Sequence, residues 1–595
     1  MDISVYDGKS TLNGSNHYEG FAPVQIEPHL KVYFLGAPSP YGFQVQPPEN
    51  SQLGSSRGAP LARVLMRKYK PAEWGNHLAG NFLIIIHNEH EKVIEIITDL
   101  GNSFHPYYFF SNDRGRFYFS TKIEALFKLA SPRDKLQVDY VSVTDYLINR
   151  SITYPNTFYR DVRELPFASY NRVEYGRTKI EFISEQYWKP TCLASESSDN
   201  IEDLSIELRR SVIASVEQAV ANKSKIGLFL SGGIDSRAIA ELIAENCDRA
   251  EAFTFCDEIN YETEIASHVA SRLGLQHNIL YCEPEYYPRL MGECQRQEGG
   301  HIHHEWAGYL GFVEEINPLG LQALLGGYMS DSLLKLHEDK VHAKHVFGRH
   351  CGPLEEFDKT PMRYLRGGSE YIKQYSGVFN DDILDEVTKR RKDLMAYWKN
   401  LRSDGSAYEW SFIWPFTRNK MNSNLTSNIF NFPGFEIYTD RKIIEIARVA
   451  SQRIKLNGRL FNQAIYPLLK RTRDIHFPVT NMSLKKNRYI YEFLITARNV
   501  LPRKWFSKRQ KGIGQPGFFT PGEGTRSYQQ IWEQSAILQK LREAHDPDLL
   551  ERKIMKGSSK SVFDRARYGE LSKESVRHIM SSIVYNNVLI APKRT

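Results

Sequence analysis

Between residues 31 and about 190 short apolar runs alternate with turn residues: KVYFLG, NFLIIIH, KVIEIITD, PYYFF, RFYFST, SYNRVEYG and KIEFIS. Runs this short, rich in β-branched and aromatic residues, predict strands. After the polar stretch from Ser195 to Asp199 the period lengthens. In IEDLSIELRRSVIASVEQAVAN the residues Leu204, Ile206, Leu208, Val212, Ile213 and Val216 form one apolar stripe, which predicts a helix. We place a boundary here, giving one unit over 1–194 and a second over 195–595. In the second unit KIGLFL, AEAFTFC, HNILYC and the buried run LQALLGG alternate with SRAIAELIAEN and ETEIASHVASRLGL. Alternation of that kind predicts a parallel sheet covered by helices. From about 335 to the end the pattern is mainly helical, with loops at SDGSAYEW and KGIGQPGFFTPGEG.

Composition narrows the class without naming a chemistry. A chain of 595 residues, 41% hydrophobic and 25% charged, can build two or more buried cores. No apolar run is long enough to span a bilayer, and MDISVYDGKS has neither a basic patch nor an apolar core. A cytoplasmic protein without a membrane or nucleic-acid partner is expected. Six cysteines lie scattered without zinc-site or disulfide spacing and are read as reduced thiols. A net charge of +7 suits nucleotide phosphates or an acidic peptide no better than it suits a solvated surface.

The informative segment runs from Leu228 to Ile239, LFLSGGIDSRAI, where a buried strand enters two glycines and then an amphipathic helix. Gly232 and Gly233 let backbone N–H groups approach an anion, the helix N-terminus adds its dipole, and Ser231 and Ser236 offer hydroxyls. This is chemistry for a pyrophosphate. Asp235 beside a polyphosphate requires a cation between the two, which implies magnesium. The Gly-Lys-Ser/Thr ending of a Walker loop is absent. Gly512-Ile-Gly-Gln-Pro-Gly517 matches the dinucleotide pattern in letters only, since it follows a basic loop and opens no helix.

SGGIDS in this setting resembles the pyrophosphate loop of the N-type ATP pyrophosphatases, and within them the asparagine synthetase group. AFTF followed by YETEIASHVASRLGL resembles the adenine-side strand and its helix, and ALLGGYMSDSLL resembles the second nucleotide loop with Gly326 and Gly327. The resemblance, over most of residues 200–450, implies that Leu230 and Thr254 or Phe255 flank the adenosine of ATP. It implies that Asp235 and Asp331 hold magnesium between the ATP phosphates. Upstream, Trp74-Gly75, Leu78-Ala-Gly80-Asn-Phe82, Asp99-Leu-Gly101, Pro106-Tyr-Tyr108 and FYFSTKIEAL resemble the glutaminase domain of the same enzymes. The fold implied is an N-terminal-nucleophile αββα sandwich followed by an α/β parallel-sheet ATP-pyrophosphatase domain with a largely helical C-terminal part.

Glutaminase chemistry in that family needs a cysteine at position 2, where thiol and α-amine act together. Here position 2 is Asp2, no cysteine precedes Cys192, and Ser4 or Thr11 would need processing. Glutamine is therefore not expected as nitrogen donor. β-Lactam synthetase, carbapenam synthetase and lasso-peptide cyclases resemble asparagine synthetase and use an amine of the substrate. Tyr328 stands where asparagine synthetases carry Glu, as in the β-lactam enzymes, whose Tyr works with a glutamate on the attacking amine. Alignment on Asn419-Lys-Met421 puts Lys420 at that glutamate's place, and Glu409 is the substitute we select. The family's late lysine, which offsets negative charge, is matched by Lys511 in Arg509-Gln-Lys511, with Lys485, Lys486 and Lys508 as competitors. His301, His303 and His304 lack zinc-like partners and are read as polar contacts to substrate.

The resemblance implies an AMP-forming carboxylate–amine ligase that makes a lactam. Macrolactam closure of a precursor peptide is the reading adopted, as in lasso-peptide cyclases, which implies a leader-peptide-binding or protease partner. The other readings are a small-molecule β-lactam cyclase, an ammonia-dependent asparagine synthetase, and a non-catalytic binding protein that keeps the fold.

Overall fold

The computed structural model describes residues 1–45, 57–298, 308–336, 344–351, 368–476, 535–543 and 551–556, apart from short breaks within these spans. Two antiparallel sheets form the first part. One has the order Arg163–Glu164, Tyr107–Phe110, Arg116–Ser120, Asp2–Tyr6 and Lys9–Asn13. The other runs Glu181–Gln186, Ser169–Glu174, Val93–Thr98, Phe82–Asn88, Leu30–Gly36 and Val24–Glu27.

The strand period of two explains the layers. Ile85, Ile94, Ile96, Phe117 and Phe119 point into the space between the sheets with Ile3 and Val5. Their neighbours Ile84, Ile86 and Ile97 face outward onto Leu61, Ala62 and Leu65 of the helix Gly58–Lys68. On the opposite outer face Phe109 and Tyr118 meet Ile123 and Leu126 of the helix Ile123–Leu129 and Val143, Tyr146 and Leu147 of the helix Tyr140–Asn149. The result is an αββα sandwich. Burial on both faces is why NFLIIIH reads as a continuous apolar run and not as an alternation. The three helices lie inside the stretch expected to be mostly strands.

The last of these strands ends at Gln186, and helix α1 (Ile201–Val220) begins the second part. Five strands follow: β1 (Ile226–Phe229), β2 (Ala250–Cys256), β3 (Gln276–Tyr281), β4 (Ala323–Gly326) and β5 (Gly434–Glu436). They form one parallel sheet in the order β3-β2-β1-β4-β5. Helix α2 (Ile234–Asn246) follows β1, and helix α3 (Tyr261–Leu273) joins β2 to β3. Strand order reverses direction at β1, whose successor lies on one side and β4 on the other. Loops leaving the carboxyl ends of β1 and β4 therefore diverge around a crevice, where α/β sheets of this kind hold ligands.

The mainly helical pattern expected after residue 335 holds for most described residues up to 468, but the antiparallel pair Lys344–Val346 and Arg349–Cys351 and then β5 interrupt it, each with strands of three residues, too few for a periodic signal. The segment SDGSAYEW, expected as a loop, runs into the helix Ala407–Ile413. The two parts share a polar seam. Arg441 donates to the carbonyls of Gly75 and Leu78 at 2.8 and 3.1 Å, and Arg391 meets Asp145 at 2.8 Å. Buried Glu164 accepts from Thr417 at 2.9 Å and pairs with Arg418 at 3.3 Å. No helix among the described residues is long and apolar enough to cross a membrane.

Candidate active site

Leu230 leaves β1 with its N–H still donating to Phe253 of β2 at 2.9 Å, and its carbonyl accepts the Thr254 hydroxyl at 2.6 Å. The chain then turns through Gly232, whose φ of +69° lies in the left-handed region. A Cβ there would stand 2.8 Å from Ile265 Cγ2 and 3.3 Å from the Ala266 backbone nitrogen, so helix α3 crosses directly behind the loop. Ser231 and Ser236 close it from within: the Ser231 N–H donates to Ser236 Oγ at 3.1 Å and the two hydroxyls lie 3.0 Å apart. Gly233 caps α2, leaving the first-turn N–H groups at the loop. Gly232→Ala is expected to cost about 1–3 kcal/mol through backbone strain and the clash with α3. Chemical denaturation checks this, and an unchanged midpoint would refute the account of the loop.

A residue not singled out from sequence anchors the loop. Arg237 is fully buried and donates to the Gly232 carbonyl at 2.7 Å and to the carbonyls of Ile475 and His476 at 3.1 and 3.0 Å. It ties the loop to the residues just before the segment that carries Lys511. An arginine and, one turn on, Glu241 inside the largely apolar run SRAIAELIA were the available signal.

The loop after β4 comes in from the other side. Gly327 is so close that a Cβ on it would lie 3.4 Å from Asp235 Cβ. Met329 has a φ of +71°, and the single turn Asp331–Lys335 follows. Asp235 accepts the Ser330 hydroxyl at 2.7 Å. Asp235 and Asp331 converge on one point, where the Lys335 ammonium bonds to Oδ1 of Asp235 and lies 2.7 Å from Oδ1 of Asp331. Burial alone lowers the pKa of Lys335, but Asp235 and Asp331 outweigh it and hold the group above its ordinary value.

Two carboxylates able to reach the same cation, with a hydroxyl beside them, are the hard oxygen donors that magnesium takes. Among the described residues no group of three or more His, Cys, Asp or Glu forms a metal cage. The pair thus suits an ion that draws its remaining oxygens from phosphate and water, and Asp235 and Asp331 are the residues that would hold it.

Residues 207–403 match the asparagine synthase domain family, and residues 60–188 match the glutamine amidotransferase domain family. The chain thus carries an asparagine synthase domain preceded by a glutamine amidotransferase domain. It is 28% identical over 197 residues to asparagine synthetase [glutamine-hydrolyzing] 2 of Bacillus subtilis (strain 168), covering 29% of this chain and 25% of that protein. Its match to asparagine synthetase [glutamine-hydrolyzing] 1 of the same organism is 24% over 223 residues, covering 37% and 34%. A putative asparagine synthetase [glutamine-hydrolyzing] of Mycobacterium tuberculosis (strain ATCC 25618 / H37Rv) is 28% identical over 144 residues, covering 24% and 22%. Aligned residues thus span 22% to 34% of these relatives' own lengths.

Where this chain was read as unusual, the geometry around Tyr328 gives a different partner from the one selected. The Tyr328 N–H donates to Glu436 Oε2 at 3.1 Å, and Asn428 Nδ2 donates to Oε1 at 2.7 Å. A Cβ on Gly326 would fall 2.3 Å from either Glu436 oxygen, so glycine is what lets the carboxylate lie against the loop. Burial raises the Glu436 pKa to about 7, opposed by the Asn428 amide and the Tyr328 N–H. Burial, then Glu436, then Glu262 hold the Tyr328 phenol well above its ordinary value. Glu409 belongs elsewhere: it is buried, pairs with the buried ammonium of Lys455 and accepts from Gln452 Nε2 at 3.1 Å. The expected pairing of Glu409 with Tyr328 is thus not what the structure shows: Glu409 is held by Lys455, and the carboxylate set against the Tyr328 backbone is Glu436. A short β5 joined to the sheet only through β4 hid that carboxylate from sequence patterning.

Thr254 is buried, with its hydroxyl engaged by Leu230 and 2.8 Å from His277 Nε2, while Phe255 is half-buried edge-on to Tyr309. Lys511, Lys485, Lys486, Lys508, Lys420, His301, His303 and His304 lie outside the described residues. Asp2 opens a strand of the sandwich and accepts the Ser120 hydroxyl at 2.6 Å.

Proposed function

We propose that the protein is an ATP-dependent carboxylate–amine ligase that works through an acyl-adenylate. The observation that carries the reading is the meeting of two loops, after β1 and β4, with Asp235 and Asp331 converging in front of the α2 N-terminus. A substrate carboxylate oxygen attacks the α-phosphorus, the bond to the bridging oxygen breaks, and pyrophosphate leaves. Ser231, Gly232, Gly233 and the first turn of α2 bind that pyrophosphate through N–H groups and hydroxyls. Magnesium, when bound, neutralises phosphate charge and orients the phosphates. An amine nitrogen then attacks the acyl carbon, the bond to AMP oxygen breaks, and the amine proton passes to the Tyr328–Glu436 pair. A carboxylate whose pKa lies about 7 is suited to take that proton near neutrality. Lys511, by its resemblance to the family's late lysine, offsets the negative charge that develops.

None of residues 1–191 is a cysteine, so the amine is assigned to the substrate itself and not to glutamine. Ring closure of a peptide into a macrolactam is the form we favour, with a small-molecule lactam and ammonia-dependent ligation as the competing forms. The reason for favouring a peptide is the segment 335–420, long relative to the compact family pattern and able to help build a larger pocket, but part of it has another task. The helix Asp381–Leu401 is clamped to the sandwich by Arg390–Asp139 at 2.7 Å and Arg391–Asp145 at 2.8 Å. ATP–pyrophosphate exchange, screened over amino acids and peptides with magnesium, is expected to require a peptide carboxylate and to proceed without glutamine. Full turnover should then yield AMP and a peptide lighter by one water. Exchange that depends on aspartate would replace this reading with an asparagine-forming one, and no exchange with any carboxylate would end it.

A further inference from the structure

Lys335 carries a buried ammonium to the point where Asp235 and Asp331 meet. Its side chain is 8% exposed and its ammonium lies 4.3 Å from the centre of the Phe461 ring. The stem passes Gly458, on which a Cβ would stand 3.6 Å from Lys335 Cγ. An aromatic face and a glycine thus hold the chain in a lane that ends between Asp235 and Asp331. The i, i+4 spacing from Asp331 across one helical turn sets the approach from the other side.

We propose that Lys335 is a tethered cation that occupies the metal position of the Asp235–Asp331 pair and yields it only when nucleotide phosphates offer the ammonium a new anionic partner. This rests on the reading of the two loops as a nucleotide site. A divalent ion arriving alone must take the same carboxylate oxygens, since two cations cannot share them at contact distance. It would leave an enclosed ammonium without a counter-ion, which is costly. A polyphosphate seated at the N-terminus of α2 removes that obstacle, because Asp235 is the second residue of that helix and the ammonium already lies beside it. Metal and nucleotide are therefore taken up together, and in the complex Lys335 is a phosphate contact.

The test uses the full chain and manganese(II), followed through the free-ion paramagnetic resonance signal in the absence of nucleotide. Lys335→Met and Lys335→Gln are each expected to bind manganese at least about tenfold more tightly than the wild type. Equal affinity would overturn the proposal. A crystal structure of the wild type with manganese and an ATP analogue bearing a methylene bridge between the α- and β-phosphates needs no variant to fold. It is expected to show the metal between the two aspartates and Lys335 Nζ on a phosphate oxygen. An ammonium still bridging the carboxylates would overturn the proposal. Failure of the analogue to bind at all would count against the ligase reading, while the nucleotide-free titrations would still decide the role of Lys335.

Discussion

Asp331→Asn is expected to lower ATP–pyrophosphate exchange by about a thousandfold, the loss typical when charge stabilisation of a transferring phosphoryl group is removed. The effect should fall on chemistry and not on the fold. Asp331 has a side chain 52% exposed, so its loss leaves no buried cavity, and Lys335 keeps Asp235 as its counter-ion. Melting temperature should therefore move by only a few degrees. The same substitution at Asp235 is a less clean probe, because Asp235 also accepts the Ser330 hydroxyl that holds the second loop in place. Exchange by Asp331→Asn within about threefold of the wild type would remove the aspartate pair from the phosphoryl-transfer site and with it the basis of the ligase reading.

The sequence made the two loops legible because each combines a short buried strand with residues whose chemistry is local: glycines, hydroxyls, and one aspartate a fixed distance beyond the strand. Strand, loop and helix are consecutive, so patterning alone brings Ser231, Gly232, Gly233, Asp235 and Ser236 together. What patterning could not give was contact between segments far apart in the chain. Glu436 lies 108 residues beyond Tyr328, on a strand of three residues that reaches the sheet only through β4. Alignment pointed instead to Lys420, with Glu409 taken as the substitute carboxylate, and the latter is fixed to Lys455. Lys335 directly follows ALLGGYMSDSLL, yet its meaning depends on Asp235, 100 residues earlier. The helices of the sandwich followed from the family resemblance and not from patterning, for a related reason. Strands buried on both faces lose the alternation that separates them from short apolar helices.

Glu436→Gln is expected to separate the two half-reactions. Pyrophosphate exchange, which needs no base for the amine, should stay near the wild-type rate, while amide formation should fall by about 100- to 1,000-fold. The pH dependence carries the sharper signature. Burial raises the Glu436 pKa from 4.5 to about 7, so the folded protein holds this proton more tightly than the unfolded chain does. The stability this confers is complete below pH 4.5 and is lost as pH rises toward 7, by about 3 kcal/mol for a pKa difference of about 2.5 at about 1.4 kcal/mol each. Over the same interval the ionised fraction grows, so the wild-type rate of amide formation should rise with pH and level off above about 7. Glutamine is close in shape to the protonated acid; its one carbonyl oxygen can keep the bond from the Tyr328 N–H, and its NH2 can donate to Asn428 once that amide turns to present its oxygen. The variant should therefore keep the loop geometry while losing both the decline in stability from this group and the rise in rate through pH 7. Denaturation midpoints across pH 5–8, compared with single-turnover amide formation over the same range, read both effects. If the variant's rate still climbs through pH 7 as the wild type's does, the proton goes to a group other than Glu436. Tyr328 would then have to act with Glu262, the other carboxylate whose field reaches it.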